Sequence, residues 1–152
     1  MTDTDKLLDS KSWQLLAALQ ADARLPLKTL ATAAGLSISA AAERLRKLED
    51  AGVIRGYRAA LDLQRLGLGV EAVIGITVPQ PQKRRFLDHL AALPSVRECL
   101  HVTGADSYLL RIAVADMPGL EALIETLNPY GETRTSLVLS TPIALRAVPP
   151  PA

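Results

Sequence analysis

The chain has 152 residues, with 17 Lys plus Arg against 16 Asp plus Glu, so its formal charge is only +1. That balance excludes an indiscriminate basic coat for nucleic acid and an acidic tail. A make-up of 49% apolar and 22% charged residues excludes disorder throughout and suits one ordinary domain or two small ones. Cys99 is the single cysteine, which rules out an intramolecular disulfide and a thiolate cluster for zinc or iron–sulfur. The reducing cytosol is the expected compartment. The opening Met1-Thr2-Asp3-Thr4-Asp5 has neither the basic start nor the apolar run of a signal peptide. No window approaches the roughly 20 apolar residues of a membrane helix.

Along the chain, Trp13, Leu15, Leu16 and Leu19 recur at helical spacing, so Asp9 to Ala21 reads as an amphipathic helix with Asp9 or Ser12 as its cap. Pro26 sits where a second helix should begin, since its missing N–H is harmless there, and Leu27, Leu30, Ala31 and Ala34 give that helix an apolar face. Gly35 ends it. Ser37 is a good cap for a third helix running to Asp50, with Ile38, Ala41, Ala42, Leu45 and Leu48 on one stripe. Ser39, Ala40, Glu43, Arg44, Arg46 and Lys47 then face outward. Val53 to Arg58 has strand character and is too short to stand alone.

The texture changes at Leu66-Gly67-Leu68-Gly69, and residues 61–69 read as a linker between a domain over 1–60 and another over 70–146. In the second domain, Ala72 to Val78 reads as a strand. Lys83 to Leu93 reads as a helix through Phe86, Leu87, Leu90 and Leu93, stopped by Pro94. Two strands follow, Val96 to Val102 and Tyr108 to Val114, and then a helix over Leu120 to Leu127 and a last strand over Thr133 to Leu139. This βαββαβ order is the ferredoxin-like plan, an antiparallel four-stranded sheet backed by two helices, so the fold class is α+β. Residues 147–152, rich in proline, read as a flexible tail.

A helix, a short helix, a glycine turn, a capped longer helix and a strand-like segment make a winged helix-turn-helix, which reads DNA by placing its last helix in the major groove. On that model Ser39 and Ala40 lie nearest base edges, Arg44, Arg46 and Lys47 reach phosphate or guanine, Arg55 and Arg58 sit on the wing, and Ser37 and Glu43 complete the DNA-binding set. The competing reading is a plain helical bundle with a solvated basic face. Charge favours the first. Between Arg44 and Arg58 there are five basic residues and two acids, net +3, which leaves the rest of the chain at −2.

The stretches LLDSKSWQLLAALQADAR, LATAAGLSISAAAERLRKLEDAGVIRGYRAALD, SVRECLHVTGADSYLLRIAVADMPGLEALIETL and ETRTSLVLS together resemble the leucine-responsive and asparagine-synthesis regulators, the Lrp/AsnC or feast/famine family. The resemblance implies a transcriptional regulator with an amino-acid effector, a second domain of the RAM/AsnC type, and dimers that commonly assemble into octamers. It implies an effector site near the turn Thr103-Gly104-Ala105-Asp106-Ser107-Tyr108. Many members read Gly-Asp-x-Asp-Tyr there, whereas this chain has Ala105 and Ser107 at the two acidic positions. An effector's carboxylate suits the N–H groups of Gly104 to Asp106 and its ammonium suits Asp106, with Ser107, Tyr108, Thr133 and Thr135 completing a polar shell. The plain alternative is a tight hairpin.

Other signals carry less. Cys99 and His101 share one strand face, but two residues make no metal site and Cys99 reads as structural. No phosphate loop, catalytic constellation, metal site or cofactor site emerges, so an enzyme is not expected. Five aromatics are too scattered to grip single strands; Trp13, Tyr57 and Phe86 read as core or interface. Lys83-Arg84-Arg85 reads as a solvated face or a second DNA contact. A sensing module that binds a small molecule without DNA is the alternative function.

Overall fold

The computed structural model describes residues 7–151; the opening stretch of residues 1–6 and Ala152 lie outside the described residues. The chain divides into two compact units, one running up to Ala60 and including the segment from Ile143, the other Leu61–Pro142.

The first unit holds three helices, α1 (Ser10–Ala21), α2 (Leu27–Ala33) and α3 (Ile38–Asp50). Each start follows local chemistry. Asp9 accepts the Ser12 N–H at 2.9 Å, Pro26 holds the cap position of α2 at φ −58°, and Ser37 accepts the Ala40 N–H at 3.2 Å. After α2 the chain reverses at Gly35, whose φ of +58° is open to glycine at little cost, and the Leu36 N–H returns to the Ala31 carbonyl at 2.9 Å. Leu15, Leu30, Ala31, Ala34 and Ala41 form the buried core, and the three alanines let the helices cross closely.

Two expectations fail here. Val53–Arg58 forms no strand: the Val53 and Ile54 N–H groups both donate to the Leu48 carbonyl, at 2.9 and 3.1 Å, so the segment closes the end of α3 instead of joining a ladder. Ile38 and Ala42, expected on the buried stripe of α3, are exposed, and Ile38 is 50% accessible. In the tail, Val148 exchanges hydrogen bonds with the Gln20 side chain at 2.7 and 3.1 Å.

The second unit opens with a turn in which Leu68 N–H reaches the Leu63 carbonyl at 2.9 Å, and Gly67 takes φ +81°. Then come β1 (Val70–Ile76), α4 (Lys83–Ala91), β2 (Val96–His101), β3 (Tyr108–Val114), α5 (Met117–Leu127) and β4 (Thr133–Leu137). The sheet order is β2-β3-β1-β4 with every pairing antiparallel, which is the expected ferredoxin-like arrangement. Helix α5 starts three residues before the expected Leu120. Asp116 accepts the Gly119 N–H at 2.8 Å as its cap, and Pro118 fits the first turn.

Strand alternation sorts the two faces of the sheet. Ala72, Ile74, Ile76, Leu110 and Ile112 point inward against Phe86 and Leu90 of α4 and Leu120, Leu123 and Leu127 of α5. Leu87 was expected on the buried face of α4 and is exposed. The other face carries Val73, Gly75, Leu100, Leu109, Arg111 and Arg134, placed together by register.

Candidate DNA-reading helix and effector turn

Helix α3 turns its basic residues to unequal uses. Arg44 is held inward: its Nη1 donates to Asp9 Oδ1 at 2.7 Å and to Ser12 Oγ at 2.9 Å, and its side chain is only 27% exposed. Ser12 is fully buried and donates in turn to the Leu7 carbonyl at 2.5 Å. Arg44, expected to reach phosphate or guanine, thus braces α3 against the cap of α1, because a guanidinium can serve a carboxylate and a hydroxyl at once. The Ser12 N–H, and then Arg44, hold the Asp9 carboxyl below its ordinary value, against the opposing effect of its own desolvation.

Among the described residues, Arg46 and Lys47 pair only within their own helix, with Asp50 at 2.9 Å and Glu43 at 2.7 Å. Such exposed pairs are weakened by solvent screening and exchange readily for a phosphate. Glu43 sits below its ordinary value, mainly through its bond from Lys47. Ser39, Ala42, Glu43 and Arg46 form the exposed stripe that α3 presents, while Ala40 is half-buried. Ile38 and Ala42 add apolar groups to that exposed side. Ser37 is taken up by its cap bond and a 3.2 Å contact with the Ser39 hydroxyl.

Beyond α3, Arg55 and Arg58 are exposed and make no ion pair among the described residues. Between them Tyr57 donates to Glu49 Oε1 at 2.8 Å and ties the segment to the helix. Desolvation, together with that carboxylate, pushes its phenol up to about 12. Tyr57 was read as core or interface, and its half-exposed ring instead anchors the segment that carries both arginines.

In the second unit the turn between β2 and β3 exposes Thr103, Gly104 and Ala105, with Gly104 at φ +120°. Among the described residues the N–H groups of Gly104, Ala105 and Asp106 have no internal acceptor. Ser107 is structural: its N–H donates to the Ile76 carbonyl, its carbonyl accepts from Val102, and its hydroxyl accepts from the Val78 N–H at 3.4 Å. The Ala105 carbonyl accepts from Thr77 Oγ1 at 2.9 Å. Asp106, side chain 18% exposed, pairs with Arg134 of β4.

The expected polar shell therefore does not assemble as one group. Tyr108 is buried in the core, 5.3 Å from the Phe86 ring centre and 4.9 Å from that of His101. Thr133 and Thr135 register opposite Ile76 and Ile74, which puts them on the helix-covered side of the sheet, whereas Asp106 lies against Gly75 on the other side. Arg134, not a threonine, is the β4 side chain that meets Asp106. Cys99 is half-buried, and burial pushes its thiol up, in keeping with a structural role. No group of three or more His, Cys, Asp or Glu among the described residues gathers as a metal site.

Residues 8–55 match the winged helix-turn-helix DNA-binding family, and residues 71–148 match the Lrp/AsnC ligand binding domain. The chain is 31% identical over 133 residues to the transcriptional regulator LrpC of Bacillus subtilis, covering 88% of this chain and 92% of that one. It is 35% identical over 140 residues to LrpA of Mycobacterium tuberculosis, covering 90% and 93%. A transcriptional regulator of Neisseria meningitidis solved in complex with L-Met superposes with a TM-score of 0.88 at 29% identity, over 93% of this chain and 96% of that one. With a reading helix, a sheet domain and relatives that match along nearly its whole length, this chain belongs to the Lrp/AsnC family of transcriptional regulators.

Proposed function

We propose that the chain is a sequence-specific, DNA-binding regulator whose assembly or DNA affinity responds to an amino acid held at the turn of residues 103–106. The observation that carries the DNA half is the exposed stripe of Ser39, Ala42, Glu43 and Arg46 on a capped helix whose other side is locked by Arg44. A serine, a small apolar group, a carboxylate and a guanidinium are the groups that distinguish bases in the major groove. Ser37 steadies that end of the helix, Ala40 supports it from beneath, and Lys47, Arg55 and Arg58 supply phosphate contacts.

The effector half is supported by the open N–H groups of residues 104–106, which suit a carboxylate, and by the L-Met complex of the Neisseria relative. The partly apolar sheet face around Val73, Leu100 and Leu109 supports a homodimer, which would assemble further to an octamer. A dimer places two reading helices about 34 Å apart, so the operator is roughly palindromic. An effector acts by favouring one assembly over another. The same reading places the regulator in the cytoplasm.

Gel retardation of the protein's own promoter region at low salt tests the DNA half. Arg46→Ala should weaken binding most on the preferred sequence, and Arg55→Ala should weaken it uniformly while flattening the salt dependence. Absence of retardation by the unmodified protein would refute the reading.

A further inference from the structure

Gly75 lies one residue from the end of the interior strand β1, where a side chain would ordinarily stand on the open face of the sheet. It leaves a notch. The carboxylate of Asp106 fills it so closely that a Cβ at position 75 would fall 2.5 Å from Oδ2 and 2.7 Å from Cγ. Arg134, opposite Gly75 in register on β4, closes over the notch, with Nη2 on Asp106 and, at 3.4 Å, on the Ala105 carbonyl. Asp106 is nearly covered and Arg134 is 54% exposed, so one half of the pair is fixed and the other is reachable from solvent.

Both charges that an amino acid needs are thus present and satisfied by each other. We propose that the Asp106–Arg134 pair is the closed form of the effector site and that a zwitterion opens it. The effector's ammonium takes over Asp106 while its carboxylate takes over Arg134 and the free N–H groups of the turn. One ion pair is exchanged for two, with no change in the net charge of the site. A carboxylic acid alone would leave the nearly covered Asp106 without a partner, which is unfavourable, and an amine alone would forgo the contact with Arg134. Arg134 is therefore the residue that restricts the site to molecules carrying both groups, and it occupies Asp106 until one arrives. This rests on the reading of the turn as the effector site.

The test uses the full-length protein and the twenty common L-amino acids in a thermal-shift and calorimetric screen. The tightest is then repeated as its N-acetyl and carboxamide derivatives. Both derivatives should bind at least tenfold more weakly than the parent. Arg134→Gln should weaken the parent by about ten- to hundredfold, the range expected for one charge-assisted contact, and Arg134→Lys should recover part of it. The derivative comparison needs no variant, so it stands even if a substitution unfolds the sheet. If no amino acid binds the unmodified protein, both the effector reading and this inference fall. If one binds and either derivative matches it, or Arg134→Gln binds it equally or more tightly, the effector reading survives and the exchange of pairs is refuted.

Discussion

Arg44 is held by Asp9 and Ser12, and we predict that it braces the reading helix without adding a phosphate contact, which is open to a decisive measurement. Arg44→Met keeps the aliphatic stem and removes both hydrogen bonds to Asp9 and Ser12. A charge-assisted bond in a shielded place contributes about 1.5–3 kcal/mol, and an exposed ion pair about 0–1 kcal/mol. With Arg44 27% and Asp9 45% exposed, the pair lies between these limits. The expected loss of stability is therefore about 1–2 kcal/mol. Ser12 keeps its bond to the Leu7 carbonyl, so no buried hydroxyl is left orphaned to enlarge it. Denaturant unfolding of the unmodified protein, Arg44→Met, Asp9→Asn and the double variant measures the coupling directly. In parallel, binding to a generic duplex is followed against salt. Loss of one phosphate contact per subunit lowers the slope by about 0.9, or about 1.8 for a dimer. A brace leaves the slope unchanged. Unchanged stability with a slope reduced by about 1.8 would make Arg44 a DNA contact and refute the reasoning.

The same cluster gives a pH dependence. Asp9 titrates below its ordinary 3.8 in the folded chain, so its ionised form favours the folded state. Its contribution is full above the unfolded value and is lost as pH falls through the lower folded one. The stability gap between the unmodified protein and Asp9→Asn should be constant from neutral pH to about 5 and shrink below about 4; a gap that widens on acidification would show the sign to be wrong. Gly75→Ala should expel the Asp106 carboxylate from its notch. Alanine reduces backbone entropy in the unfolded chain by about 0.4–1 kcal/mol, which offsets part of the lost pair. The net loss is then about 1 kcal/mol or less, with faster hydrogen exchange confined to residues 103–107. A loss above about 3 kcal/mol would mean that the strand itself yields.

The helices and strands were legible because their signals are local. Ser37 capped α3 as its sequence required, Gly35 turned the chain, and β3 matched its expected span of Tyr108–Val114. The strand read at Val53–Arg58 failed for the opposite reason. A strand needs a partner, and this segment's first N–H groups are taken by Leu48 at the end of α3. Register was equally out of reach. Thr133 and Thr135 stood beside Arg134 in every linear count, yet alternation set them on the far side of the sheet from Asp106.

Two domains, their element order and the concentration of positive charge near α3 are written in the residues themselves, since periodicity, caps and composition are properties of neighbours along the chain. Tertiary structure alone decided what each charge does. Asp9 is 35 residues from Arg44, and Asp106 is 28 from Arg134. Whether a guanidinium meets a carboxylate or remains open to DNA or ligand depends on which segments folding brings within a few ångströms. The five basic residues between Arg44 and Arg58 look alike in a count, and packing divides them into one brace, two loosely held side chains and two open ones.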